Sequence, residues 1–309
     1  MQFSVVMPLY NKEQSISSSI ESVLNQVHKD FELIIINDGS TDNSLQVAQR
    51  YNDERINIVT QRNQGVSIAR NRGAGLAQYD YLVFIDADDM WNSNFLETVN
   101  NMRKQRPQYE CYATAWAPWS RDDKILSGEY RFDLEKVRLV DFLSESMNDV
   151  IVHIGSLVIS RRAFLDVGGF PAGVKVFEDQ DLNCRLALRA PFVFYTEPMM
   201  YYVRDAENRA CSSRSIQDMP PFFRECEDIM LKNHDAGTKE WHLKEFMISR
   251  YLNEVSLACQ TPGERRRAIA WLWLCHKTKA SKFRFWKAAA YLFLPARVLS
   301  YLLSFARKS

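Results

Sequence analysis

The chain is poor in the features that mark many function classes. Its six cysteines, at 111, 184, 211, 226, 259 and 275, contain no C-x-x-C pair, which argues against structural zinc. The five histidines (His28, His153, His234, His242 and His276) show no metal-ligand spacing. No Walker A sequence and no G-x-S-x-G occurs; "HIGS" at 153–156 is not a nucleophile elbow. "GAGLAQ", from Gly73, lacks the third glycine of a dinucleotide fingerprint and does not directly follow a strand. A formal net charge of +1 gives no global field and argues against a nucleic-acid partner. Repeats and low-complexity linkers are missing. "MQFSVVMPLYNKE" has no basic region ahead of its apolar run, and that run is too short for a signal peptide, so the expectation is a cytoplasmic chain with reduced thiols. Acidic residues are absent from 268 to 309, where Lys277, Lys279, Lys282, Arg284, Lys287, Arg297, Arg307 and Lys308 are all basic.

What is present is a globular composition, 46% hydrophobic and 25% charged, in 309 residues. That length suits one large α/β domain, alone or with an appendage. Over the first hundred residues two periodicities alternate. Phe3–Met7 is an apolar run stopped by Pro8. Ile16, Ile20, Val23, Leu24 and Val27 follow at helical spacing. Phe31–Ile36 is a second strand, and Ser40 or Thr41 is a candidate cap for the helix after it, with Leu45, Ala48 and Tyr51 on its inner face. Ile56–Val59 is a third strand, residues 66–77 a helix rich in small residues, and Tyr81–Ile85 a fourth strand. Phe95, Val99 and Met102 mark the next helix. Such alternation predicts a mostly parallel sheet covered on both faces, with ligands beyond the carboxyl ends of its strands. Three polar clusters fall there: "PLYNKE", "NDGSTD" and "DADD".

Further on, "IVHIGSLVIS" reads as a strand, "FEDQDLNCRLALR" as a helix and "FVFYTEPMMYYVR" as two short strands. After about residue 215 the pattern is helical, with "PPFFRECEDIMLKNH" as the first helix.

Each polar cluster admits two readings. Asp86 and Asp88, two apart at a strand end, present their carboxylates to the same side. With a diphosphate they suit Mg2+ or Mn2+; alternatively Asp88 or Asp89 caps the following helix. Asp38 either shapes a tight turn with Gly39 or accepts hydrogen bonds from a base or ribose. Arg70 is either a solvated helix residue or a fork for phosphate or a base edge. Glu178, Asp179 and Asp181 either serve the dipole of a helix start or supply a general base for a sugar hydroxyl.

Taken in succession, "VVMPLYNKEQSISSSIESVLNQ", "ELIIINDGSTDNS", "NQGVSIARNRG", "YLVFIDADD", "VGGF" and "FEDQDLNCRL" closely resemble the family 2 glycosyltransferases of bacterial surface-glycan type. The resemblance covers about residues 1–205. It implies the GT-A fold, a Rossmann-like α/β architecture, and an inverting, metal-dependent transfer from a nucleoside-diphosphate sugar, with UDP as the expected nucleotide. By the same resemblance Pro8, Tyr10 and Asn11 line the nucleotide pocket and Asp38 contacts the base. Arg70 lies near base or phosphate, Asp86 holds the ribose side, and Asp88 binds Mg2+ or Mn2+. Asp179 is the catalytic base with Glu178 beside it. The acceptor is a hydroxyl of a glycan or lipid-linked molecule. "YYVRDAENRACSSRS" stands where the family has a lid; the histidine usual there is missing, and Arg204 or Arg209 is the candidate replacement. The Q-x-x-R-W motif of the processive polymerases is absent.

The expected organisation is a catalytic domain over 1–214, divided into a nucleotide-binding half (1–106) and an acceptor half (107–214), and a helical region over 215–309. In its last part, 282–309, an apolar stretch from Ala288 to Ala306 is interrupted by Pro295 and Arg297. Those two residues argue against a spanning helix and leave an in-plane membrane helix or a core helix. Two other classes compete with a transferase: an inactive nucleotide- or glycan-binding module, and a sugar-phosphate nucleotidyltransferase. The second needs a glycine-rich N-terminal loop that "MPLYNKEQS" does not supply.

Overall fold

The computed structural model describes residues 1–120, 132–147, 149–174, 176–207, 219–261 and 263–293. Two compact units form, one from residues 1–142 and 150–213 and one from 143–149 and 214–309, each over its described residues.

In chain order the elements up to residue 203 are β1 (Phe3–Leu9), α1 (Ile16–Leu24), β2 (Phe31–Asn37), α2 (Ser44–Ala48), β3 (Ile56–Thr60), α3 (Val66–Leu76), β4 (Tyr81–Phe84), β5 (Met90–Trp91), α4 (Phe95–Gln105), β6 (Cys111–Trp119), β7 (Val137–Val140), α5 (Phe142–Glu145), β8 (Leu157–Ser160), α6 (Arg161–Asp166), α7 (Glu178–Ala187) and β9 (Phe192–Val203). The strands make one mixed sheet in the order β3-β2-β1-β4-β8-β6-β9-β5, with β7 on β9. β1 runs parallel to β2 and β4, β2 to β3, and β6 to β9. The expected α/β architecture is therefore the one that forms. What the alternation did not reveal is that β8 runs antiparallel between β4 and β6, and that β5 and β7 are antiparallel to β9.

Every residue of β1 and β2 is buried, as continuous apolar strands under helices on both faces must be. Helix α3 lies unusually close to the sheet. A Cβ on Gly73 would stand 2.3 Å from Val6 Cγ1, so glycine there sets the approach of α3 to β1.

Several local expectations are corrected. Pro8 does not stop β1; it pairs in register with Ile36. The carbonyl of Val6 accepts from Ile85, on the β4 side, and that of Leu9 from Asp38, on the β2 side. Pro8 therefore turns its nitrogen to the β4 side, past the last rung there, Val6 with Phe84, and no ladder bond is lost. Ser40 and Thr41 do not cap α2, whose N-cap is Asn43. The start of "IVHIGSLVIS" is a 3-10 turn, Ile154–Ser156, ahead of β8. "FVFYTEPMMYYV" is one strand, β9. Its irregularity is a register shift that takes the partner of β6 from Tyr195, opposite Thr114, to Pro198, opposite Ala115.

The second unit is helical: α8 (Pro221–Glu225), α9 (Glu227–Leu231), α10 (Lys239–Gln260), α11 (Arg265–Leu274) and α12 (Lys282–Tyr291). "PPFFRECEDIMLKNH" thus forms two short helices rather than one. Helix α10 is its buried axis, capped by Thr238, whose hydroxyl accepts from Trp241 N. Buried Glu245 of α10 accepts from Thr278 Oγ1 at 2.6 Å, Lys279 N at 2.8 Å and Ala280 N at 3.2 Å, which shapes the turn into α12. Arg284 then ties α12 to Ser249 and Asn253 of α10, with Ala288 buried on the same side. The opposite side of the segment exposes Lys282, Phe283, Trp286, Lys287, Ala290 and Phe293. Among the described residues no helix is long and apolar enough to cross a membrane. Pro295, Arg297 and the rest of 294–309 lie outside the described residues.

Candidate functional site

The ends of the parallel strands build the site. Leu9 pairs with Asn37, and Val6 with Phe84, so Asp38 follows β2 beside Tyr10, and Asp86 follows β4 level with Pro8. Tyr10 is exposed. Asn11 adopts a left-handed φ of 51°, uncommon for a residue with a side chain. Ser40 and Thr41, expected as caps, hold it instead: Asn11 N donates to Ser40 Oγ at 3.1 Å, and Asn11 Oδ1 accepts from Thr41 N at 2.8 Å. Asp38 is buried and organises the loop before α3, accepting from Gln61 Nε2 at 2.7 Å, Gln64 N at 2.9 Å and Gly65 N at 2.8 Å.

Arg70 stands at the centre. Its side chain is 3% exposed, its Nη2 meets Asp86 Oδ1 at 2.6 Å, and its Nη1 meets Glu178 Oε1 at 2.9 Å. One α3 residue therefore joins the end of β4 to the start of α7. The next residue, Asn71, binds the "VGGF" turn at both backbone groups of Phe170, donating to its O at 2.8 Å and accepting from its N at 2.9 Å. The Phe170 ring lies under the guanidinium, 5.1 Å from its carbon. From the other side Arg185 of α7 bonds the carbonyls of Val167 and Gly169 and pairs with Asp181. Asp181 is thus spent on structure.

The acidic run is held in three different ways. Burial pushes the Asp86 carboxyl up, but the charge and hydrogen bond of Arg70 outweigh it and hold Asp86 below the usual range. Asp88 Oδ2 lies 2.6 Å from Lys12 Nζ, yet burial still raises its pKa. Asp89 is fully enclosed and accepts from Val203 N at 3.2 Å. Burial first, and then the charges of Asp88 and Asp86, raise its pKa well above the ordinary value. Neither Asp88 nor Asp89 caps α4, whose N-cap is Asn94, so the capping alternative falls away. The sequence reading gave the neutralising charge to a cation from solution; here Lys12 and Arg70 already supply two.

Lys12 does more. Its Nζ also donates to the carbonyl of Glu207 at 2.6 Å. Glu207 Oε1 accepts from Gln14 N at 2.9 Å, Ser15 N at 3.1 Å and Ser15 Oγ at 3.1 Å, at the start of α1. The segment after β9 is thereby fastened to the loop after β1. Arg204 is exposed, and its backbone N–H donates to Trp119 O at 2.9 Å. Arg209 lies outside the described residues.

Glu178 and Asp179 open α7, behind Phe177 at a left-handed φ of 64°. Burial and the neighbouring Asp179 push the Glu178 carboxyl up to about 7 against the pull of Arg70. Asp179 accepts from the N–H of Gln180 at 2.8 Å and, among the described residues, is paired with no cation. Of the predicted site residues it is the carboxylate left chemically open.

A hard divalent cation is compatible with this donor set only in part. Among the described residues no cluster of three or more His, Cys, Asp or Glu is arranged to hold one. Asp86 is committed to Arg70. Asp88 is the carboxylate able to turn from Lys12 to a metal, whose remaining ligands would be diphosphate oxygens and water.

Lys12, His153 and Glu207 escaped the sequence reading as site residues. Lys12 stands inside the quoted "PLYNKE" cluster, a signal in plain sight. In the sequence His153 shows neither metal-ligand spacing nor a nucleophile elbow. It lies in the field of Asp86, Asp179 and Arg70, and burial lowers its pKa.

The family model of glycosyl transferase family 2 matches residues 4–167. An uncharacterised glycosyltransferase of Escherichia coli K12, YibD, is 42% identical over 103 residues, which is 33% of this chain and 30% of that protein. TuaG of Bacillus subtilis, described as a putative teichuronic acid biosynthesis glycosyltransferase, is 41% identical over 97 residues, 30% of this chain and 38% of that protein. The matched segment thus spans about a third of these two curated relatives. The fold of TarS 1-349 from S. aureus, solved with UDP-GlcNAc, superimposes with a TM-score of 0.72 at 19% identity over 98% of this chain and 92% of that one. A mannosyltransferase from Pyrobaculum calidifontis, solved with GDP-Man and Mn2+, gives a TM-score of 0.55 at 18% identity over 99% of this chain and 86% of that one.

The double pairing of Arg70 makes a sharp stability prediction. Arg70→Ala leaves two part-buried carboxylates without their guanidinium and lowers unfolding free energy by about 3 kcal/mol in urea denaturation at neutral pH. A loss below about 1 kcal/mol would show that the carboxylates are solvated and the site is not organised through Arg70.

Proposed function

The chain belongs to glycosyl transferase family 2, and from that premise we propose that it moves one sugar from a nucleoside-diphosphate donor, a UDP-sugar, to a hydroxyl of a glycan or lipid-linked acceptor with inversion. The observation that carries the reading is Asp179: a carboxylate in the first turn of α7, beside the Arg70 bridge, that among the described residues is bound to no cation. Residues 1–214 carry the catalysis, with nucleotide contacts from 1–106 and acceptor contacts from 107–214.

In this reading Pro8, Tyr10 and Asn11 form the nucleotide wall, and Asp38 serves the base edge while ordering the 61–65 loop. Arg70 aims Asp86 at the ribose. Asp179 takes the proton of the acceptor hydroxyl while that oxygen bonds to the anomeric carbon and the bond from that carbon to the diphosphate breaks. Glu178 stays on Arg70 and fixes the start of α7. Asp88 would hold a divalent cation, Mg2+ or Mn2+, which would supply charge stabilisation for the departing diphosphate. Attack from the side opposite the leaving group inverts the centre, so an α-linked donor yields a β-linked product. Support for the nucleotide-sugar class comes from the family match and from the TarS and mannosyltransferase folds.

The helical region, 215–309, is read as the membrane-facing part of a cytoplasmic enzyme at the inner face of the plasma membrane. Phe283 is 82% exposed, Trp286 69% and Phe293 86%, on the same side as Lys282 and Lys287. Aromatic rings flanked by ammonium groups fit the headgroup layer of an anionic bilayer. The contact would bring the site to a lipid-linked acceptor.

Two measurements test these readings. With Mn2+ and a panel of UDP-sugars, the wild type forms free UDP by slow donor hydrolysis and by transfer to an added glycan. Asp179→Asn lowers transfer by about a hundred- to ten-thousand-fold, and full turnover by this variant would remove Asp179 from the mechanism. In flotation assays the full chain rises with anionic phosphatidylglycerol vesicles, and the double variant Phe283→Ser, Trp286→Ser stays below; equal flotation of both rules out this face as the contact.

A further inference from the structure

At the end of β4 that carries Asp86, with His153 in the field of Asp86 and Asp179, lies an aromatic group that the proposed reaction does not use. Trp116 of β6, Tyr202 of β9 and His153 pack as a triangle. Ring centroids are 6.1 Å apart between Trp116 and Tyr202, 5.8 Å between Trp116 and His153, and 5.4 Å between His153 and Tyr202. All three residues are half-buried rather than enclosed.

The triangle is built from several directions at once. The register shift between β6 and β9 sets Trp116 opposite Met200 and Pro118 opposite Tyr202, which brings Trp116 and Tyr202 to one face of the sheet. Trp116 Nε1 donates to Val150 O at 2.9 Å, fixing the indole plane. His153 closes a capping box on the 3-10 turn: its Nδ1 accepts from Gly155 N at 3.1 Å, and its own N–H donates to Ser156 Oγ at 3.2 Å. The turn packs closely on β9: a Cβ on Gly155 would stand 2.9 Å from Met200 Cε, the movable end of that side chain. Trp91 Nε1 holds the same turn through Gly155 O at 2.7 Å. The turn leads into β8, which runs antiparallel to β4 with Val158 opposite Val83, so it sits at the end of β4 that carries Asp86. With Nδ1 an acceptor, the neutral ring carries its proton on Nε2, a donor in the field of Asp86 and Asp179.

We propose that Trp116, Tyr202 and His153 form a platform for a pyranose ring next to Asp179, with the aromatic faces against sugar C–H groups and His153 Nε2–H donating to a sugar oxygen. Aromatic faces carry the negative part of the ring quadrupole, and the C–H edge of a pyranose is its electropositive side. Rings this tightly pinned lose little freedom on binding. The inference rests on the nucleotide-sugar reading above, and the ring can belong to the donor or to the acceptor.

Saturation-transfer NMR separates these cases. The probes are UDP-N-acetylglucosamine, UDP-glucose and UDP-galactose with diamagnetic Mg2+, and the methyl β-glycosides of the same sugars with UDP and Mg2+. In the donors the uracil protons report nucleotide binding in the same spectrum as the pyranose protons. The variants Trp116→Leu and Tyr202→Leu keep apolar bulk and remove the ring faces. A pyranose signal that falls severalfold relative to uracil in both variants establishes the platform for the donor sugar. An unchanged donor ratio with a methyl glycoside signal lost in both variants, at about tenfold weaker affinity, establishes it for the acceptor. Wild-type uracil signal with pyranose signals that the variants leave unchanged, or with no pyranose signal for any probe, overturns the platform alone. No uracil signal in the wild type overturns the donor reading, and the platform with it.

Discussion

Arg70 is the interaction on which the site depends. It is buried, it is paired at 2.6 and 2.9 Å, and its two partners come from separate parts of the chain. Removing three charged groups from water is costly, and only close, correctly angled contacts offset that cost. The surrounding structure supplies those angles. Gly73 lets α3 settle against Val6, Asn71 holds both backbone groups of Phe170, and Arg185 holds the same turn from α7. Neither Asp86 nor Glu178 can move without disturbing the other. The end of β4, proposed to receive a donor, is thereby coupled to the start of α7, proposed to carry the base.

The remaining charges sort themselves around that bridge. Asp88 rests on Lys12, a lysine that also holds the segment after β9, and Asp89 is driven towards its neutral form inside the sheet. Among the described residues, Asp179 accepts from the neighbouring N–H of Gln180 and pairs with no cation. Asn11 and Phe177, the two non-glycine residues at positive φ among the described residues, flank this arrangement, one before Lys12 and one before Glu178. Backbone strain of this kind persists where surrounding contacts over-determine it, and both residues sit at the mouths of their loops into the site.

The parallel half of the fold was legible because its strands are continuous apolar runs, each closed by a polar cluster. Phe31–Asn37 and Tyr81–Phe84 show the pattern without ambiguity. The antiparallel half was not, for physical reasons. β5 has two residues, β7 and β8 four each, and the 3-10 turn before β8 continues the apolar pattern of the strand itself. Pro8 misled because its missing N–H matters only where a neighbouring strand is there to receive it. At the site, the acidic residues were visible as clusters, but their partners were not: Arg70 and Glu178 are 108 positions apart. His153 carried no usable signal, since its role comes from the register of β6, β8 and β9.

The central physical claim is that Asp88 exchanges Lys12 for a divalent cation that it holds jointly with a diphosphate. Calorimetric titration of UDP into the protein, with and without Mn2+, tests it most directly. The account predicts UDP binding at least about tenfold tighter with Mn2+, and loss of that difference in Asp88→Ala. Equal UDP affinity in the wild type with and without Mn2+, or no binding heat in either condition, would contradict it.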